Sequence, residues 1–213
     1  MSSSSSTPSH DSSPAGPNGS AHGAGTPQVA PRGYPGLGDQ PVEGIQILRA
    51  PAVPTVVVRA TNVAMSTISE LFDAAFGTAL PAAFARGLTP AGPAFALYTR
   101  LTDGADPVAD VEIGFPLDGP LIEQLDDEPV EGGGLRVVAS VLPAADVAVT
   151  THLGGYDGLG QAWGEFLGQI GAMGRAPGTP FWETYVTEPS PDMDPADLRT
   201  DLYCVVHTPD DAA

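Results

Sequence analysis

From Val42 onward, hydrophobic and polar residues follow one another in short periodic runs broken by proline and glycine. Gly44-Ile45-Gln46-Ile47-Leu48 and Thr55-Val56-Val57-Val58-Arg59 read as β segments on either side of a turn at Pro51 and Pro54. The period then changes. Ile68, Leu71, Phe72, Ala75 and Phe76 recur at helical steps behind Thr67-Ile68-Ser69-Glu70, which has capping-box spacing, and the helix is expected to end or kink near Pro81. A turn at Pro90-Ala91-Gly92-Pro93 leads into Ala94–Thr99, and after an Asp/Gly/Pro loop Asp110–Phe115 alternates as a further strand.

The same order then recurs. Leu135–Leu142, a turn at Pro143 and Asp146–His152 repeat the opening strands. A helix follows with Leu159, Trp163, Phe166, Ile170 and Met173 on one face and Asp157 at its N-cap. Pro177-Gly178-Thr179-Pro180 repeats the earlier Pro/Gly turn, setting Tyr185 opposite Tyr98 and Glu183 opposite Ala96, and Thr200–Val206 echoes Asp110–Phe115. The chain reads as an α+β fold of two tandem strand-helix-strand-strand repeats, residues 42–117 and 135–208, related by a pseudo-twofold and joined by an acidic linker over 118–134. A cleft along the junction of two such halves is the expected ligand site.

Composition adds the ends of the chain. Residues 1–41 are rich in Ser, Pro and Gly with few large apolar side chains and read as a disordered tail, and residues 209–213 as a frayed end. Acidic residues number 26 against 8 basic ones, all Arg, for a net charge of −18. Such a field repels nucleic acid and anionic membranes and attracts cations. One cysteine, Cys204, allows no intrachain disulfide and suits packing in an apolar strand; with no apolar run of spanning length and no secretory leader, a cytoplasmic location is expected. No His/Asp/Glu cluster has metal-ligand spacing, and no cofactor is implied.

The candidate chemistry lies in Arg175–Tyr185. In a strand, Phe181, Glu183 and Tyr185 share one face while Trp182 and Thr184 take the other, which sets a carboxylate between two rings. A desolvated carboxylate needs a cation, a hydrogen-bond donor or a role as proton carrier. Only the second half carries the acid. Aromatics placed near the cleft are Phe95, Tyr98, Phe115, Trp163, Phe181, Trp182, Tyr185 and Tyr203, about half of them expected to line it and the rest to pack the core. The second helix is interrupted by Gly158, Gly160, Gly164, Gly168, Gly171 and Gly174, a spacing that leaves a smooth face for the approach of another backbone or a flat ligand, or for close helix-to-sheet packing or a mobile helix. His152, at a strand end, is assigned to hydrogen-bonding the turn.

Three stretches carry a resemblance: His152-Leu153-Gly154-Gly155-Tyr156-Asp157-Gly158-Leu159, the Pro-x-x-Pro turn into Trp182-Glu183-x-Tyr185, and Asp197-Leu198-Arg199-Thr200-Asp201-Leu202-Tyr203. Together they resemble the gyrase-inhibitor-like (GyrI-like) small-molecule-binding family, related to effector-binding domains of AraC-type and MerR-type multidrug-sensing regulators. Gly155 stands where members often have Pro, and Asp201 where they often have Glu. The resemblance implies that Glu183 is the pocket glutamate and that planar hydrophobic, often cationic compounds are its ligands. With no helix-turn-helix or basic patch in view, it implies a stand-alone binding protein rather than a direct DNA binder. An alternative is hydrolysis of cyclopropane-bearing DNA-alkylating natural products, with Glu183 activating water and Tyr185 or Tyr98 polarising a carbonyl. A third is a protein-interaction module directed at gyrase or at a regulator.

Overall fold

Val56, Val57 and Val58 are successive residues and all are buried, which a strand achieves only when both faces of its sheet are covered. The computed structural model describes residues 40–85, 87–119, 130–132, 134–190 and 192–208. The expected tail therefore lies almost wholly outside the described residues, as do residues 209–213 and most of the expected linker. In chain order the elements are β1 (Gln46–Ala50), β2 (Val53–Ala64), α1 (Ile68–Ala74), α2 (Leu80–Phe84), β3 (Ala94–Leu101), β4 (Val108–Pro116), β5 (Val130–Gly132), β6 (Leu135–Leu142), β7 (Ala145–Leu153), α3 (Leu159–Ala172), β8 (Ala176–Tyr185) and β9 (Arg199–His207).

The strands form one antiparallel sheet in the order β1-β7-β9-β8-β3-β4-β2-β6-β5. Each half thus has two strands ahead of its helix, and the first of each pairs with the other half: β1 with β7, and β6 with β2. The prolines at the β1–β2 and β6–β7 turns break the run without closing a hairpin, since neither pair is hydrogen-bonded. The short strand β5, inside the expected linker, pairs with β6. The halves meet at β3 and β8, where Ala96 lies directly opposite Glu183.

The helices cover one face. The α1–α2 segment packs with Val56, Val58, Tyr98, Val111 and Ile113, and α3 packs with Ala148, Leu202 and Cys204. The other face buries Val57, Phe95, Leu97, Trp182, Tyr203 and Val205 together with residues of β1, β6 and β7. Strands far apart in the sheet share this cluster, as they do when a twisted sheet curls round one of its faces. No helix among the described residues is long and apolar enough to cross a membrane.

The first helix is interrupted by a π turn over Ala75–Ala79 just before Pro81 and ends three residues past it at Phe84, near the position expected. Thr78 Oγ1 donates to the Ala74 carbonyl inside that turn at 2.7 Å. Thr67 does not cap α1 with its side chain, which donates instead to the Ala64 carbonyl. Nor does Asp157 cap α3, because a 3-10 turn over Tyr156–Gly158 moves the start of the helix past it.

Candidate functional site

With α1–α2 over one half of the sheet and α3 over the other, the β3–β8 junction is left as the floor of an open cleft of about 1740 Å³. Strand alternation raises Phe181, Glu183 and Tyr185 from β8 and Tyr98 from β3 into it. The α1–α2 wall contributes Phe72, Phe76 and Phe84; the α3 wall contributes Tyr156, Leu159 and Trp163. The rings are mutually packed. Tyr98 stacks on Phe181 at 5.1 Å and 12°, Trp163 meets Phe181 edge-on at 5.0 Å, and Phe72 and Tyr156 each meet Tyr185 edge-on, at 6.0 and 5.7 Å. Phe115 lies between Phe76 and Phe84, at 5.8 and 5.2 Å. Offset and edge geometries of this kind contribute roughly 0.5–1.5 kcal/mol per pair beyond area burial.

Glu183 is 7% exposed. Its Oε1 accepts from the Trp163 indole N–H at 2.7 Å, and its Oε2 accepts from the Tyr185 hydroxyl at 2.7 Å. Tyr185 reaches it because residues two apart on a strand share a face; Trp163 reaches it because α3 crosses above β8. Burial pushes the carboxyl group above its ordinary range, and the two donors, with the His152 imidazole beyond them, pull it part of the way back. Burial likewise raises the Tyr98 and Tyr185 phenols, and the Glu183 charge raises them further, so both stay protonated. Among the described residues no Arg or His lines the cleft, whereas Asp73 and Glu188 lie exposed at its rim. The electrostatics therefore favour a cation and disfavour an anion.

Of the candidate aromatics, Tyr98, Phe115, Trp163, Phe181 and Tyr185 line the cleft with Glu183. Phe95, Trp182 and Tyr203 do not. All three point to the opposite face, where Trp182 stacks on Tyr203 at 5.0 Å and 5°. The alternation that lifts Glu183 sends its neighbour Trp182 down, and the same parity holds for Phe95 beside Ala96 on β3. Phe72, Phe76, Phe84 and Tyr156 were not among the candidates. Phe72 and Phe76 stand one helical turn apart, and a pair of rings on the apolar face of a helix is the signal that was available for them.

His152 Nε2 lies 3.1 Å from the Gly155 carbonyl and holds the turn into α3, while Cys204 is buried in its strand. A β-carbon added at Gly160, Gly164, Gly168 or Gly171 would meet nothing within 4 Å, so the glycine face of α3 is open rather than closely packed. No group of three metal-ligating side chains gathers among the described residues.

No family model and no curated protein matches the chain. Several solved structures do match in fold. The C-terminal domain of EcmrR aligns with a TM-score of 0.56 and 18% identity, covering 78% of this chain and 98% of that one. EcmrR in its DNA complex gives 0.60 and 18%, covering 78% of this chain and 57% of that one, so the present chain spans little more than half of that regulator. SAV2435 bound to tetraphenylphosphonium gives 0.55 and 14%, covering 78% and 94%. A Listeria innocua hydrolase encoded by lin2189 gives 0.50 and 12%, covering 78% and 93%. At these identities the likeness is one of fold: the chain adopts the α+β fold of the EcmrR C-terminal domain and SAV2435, the fold that the GyrI-like resemblance implies.

Proposed function

We propose that this protein captures planar, hydrophobic, cationic compounds in the aromatic cleft, with Glu183 as the counter-charge. One observation carries the reading: a buried carboxylate faces an aromatic cleft, is held by two neutral donors, and makes no ion pair with any described residue. A delocalised cation supplies the missing charge at a small desolvation cost, and ring faces add cation–π attraction of roughly 0.5–2 kcal/mol each. Stacking tolerates many ring shapes, so selectivity is for charge and flatness more than for outline. SAV2435, bound to a lipophilic cation, supports the reading by analogy of fold.

The experiment is a fluorescence titration of wild type and Glu183→Gln with a planar cationic dye. Wild type is expected to bind at micromolar concentration or tighter, and the variant to lose about 1–3 kcal/mol, or 5- to 150-fold. Equal affinities would remove Glu183 from the site.

A second reading follows from the upward shift of Glu183: a carboxyl group titrating closer to neutrality is suited to taking a proton from water. On that reading Tyr185, already donating to Glu183, orients the base rather than polarising a substrate carbonyl. Product analysis after incubation with a cyclopropane-bearing alkylator tests it. Turnover by wild type that disappears in Glu183→Gln makes the protein a hydrolase; unchanged alkylator leaves a binding protein.

A further inference from the structure

The two central strands carry a tyrosine at matching places: Tyr185 two residues after Glu183 on β8, and Tyr98 two residues after Ala96 on β3. Both phenols face the cleft. Their hydroxyls fare differently. Tyr185 donates to the carboxylate beside it, whereas the residue beside Tyr98 is an alanine that offers no acceptor, and the Tyr98 hydroxyl bonds to no described residue. Tyr98 is 6% exposed and its ring stacks flat on Phe181, so its hydroxyl meets solvent only through the cleft. A ligand that shuts water out of the cleft without offering an acceptor leaves this hydroxyl unpaired, at a cost of about 1–3 kcal/mol that a ligand with an acceptor atom avoids.

Resting on the reading of Glu183 as counter-charge, we infer that Tyr98 is a specificity-determining residue: it donates a hydrogen bond to an acceptor oxygen on the bound cation, and the cations held best carry a carbonyl or similar oxygen on their ring system. Register fixes the spacing. Tyr98 pairs with Phe181, so it lies on the diagonal from Glu183, a separation of roughly 7–8 Å between backbones. One aromatic ring spans that distance. The phenol stays protonated beside the carboxylate, which keeps it a donor.

The test uses two planar cations of the same outline, 2-acetyl-10-methylacridinium and 2-isopropyl-10-methylacridinium, which differ in the acceptor oxygen. Each is titrated calorimetrically into the full chain as wild type, Tyr98→Phe and Glu183→Gln. Tyr98→Phe is expected to weaken the acetyl cation about 5- to 30-fold and to change the isopropyl cation less than 2-fold. Equal weakening of both cations, or of neither, overturns the role of Tyr98. In those cases a loss of both cations in Glu183→Gln leaves the counter-charge reading intact. Failure of wild type to bind either cation overturns both readings.

Discussion

Glu183 and Asp201 are buried carboxylates on adjacent strands, and the sheet between them separates two ways of handling a buried charge. Asp201, 1% exposed on the face away from the helices, receives Arg199 through both oxygens at 3.0 and 2.9 Å and the Thr151 hydroxyl at 2.6 Å. Thr151 in turn accepts the Val42 N–H at 2.8 Å, so the pair fastens the start of the described chain to β7 and β9. Its charge is neutralised within the fold. Glu183, equally hidden from solvent, receives neutral donors only and faces a cleft. Similar burial with opposite neutralisation distinguishes a carboxylate that holds the fold together from one left to act on a ligand.

The largest expected effect comes from breaking the neutralised pair. Asp201→Asn removes the buried carboxylate that receives the Arg199 guanidinium and the Thr151 hydroxyl and should cost about 3–5 kcal/mol, read as a lower urea midpoint at unchanged slope. Cation affinity of whatever remains folded should be unaltered, because Asp201 lies on the other side of the sheet. Glu183→Gln reverses the pattern: affinity for a planar cation falls by about 1–3 kcal/mol while the urea midpoint holds or rises. Should both variants lose stability alike, the two carboxylates have one role and the contrast collapses.

The pH dependence sharpens the contrast through its sign. Burial raises the folded-state pKa of Glu183 above its ordinary value of 4.5, so between those two values the folded protein binds more protons than the unfolded chain. Wild type is therefore stabilised by Glu183 below pH 4.5 and loses that contribution as pH rises through the folded value. The difference in melting temperature between Glu183→Gln and wild type should grow over that window and level off above it. Cation affinity moves the other way, rising with pH through the same window, since the ligand takes the ionised form. Parallel melting curves at every pH would show that burial exerts no net hold on the group.

Parts of this contrast are legible in the sequence. Period-two alternation alone sets Phe181, Glu183 and Tyr185 on one face, the face that the structure turns to the cleft. The same alternation excludes Trp182 from that face. Phe95 and Tyr203 are harder to place, because a sheet covered on both sides fills both with large rings, and neither ring announces its face. Trp163 as a donor to Glu183 is not legible, since it depends on how α3 lies across β8, a tertiary relation between residues 20 apart. Thr67 and Asp157 fail as caps for a local reason: 3-10 turns at both helix starts supply backbone hydrogen bonds where those side chains were expected.

The smallest expected effect probes the helix that brings Trp163 to Glu183. Gly164 lies on the exposed face of α3, and a β-carbon there meets nothing within 4 Å, so Gly164→Ala adds helix propensity without touching the cleft. The substitution should stabilise the protein by roughly 0.5–1 kcal/mol, visible as a raised urea midpoint, because alanine gives up less backbone entropy than glycine on entering a helix. Its effect on binding separates two accounts of the glycines. If α3 is already rigid, Trp163 is in place before the ligand arrives and cation affinity stays within 2-fold of wild type. If α3 flexes to admit ligands of different outline, stiffening it should tighten the cation that fits best and weaken bulkier ones. Across a series of cations of increasing girth, a uniform response in Gly164→Ala identifies a preformed Trp163–Glu183 contact, and a response graded with size identifies a site that adjusts through its helix.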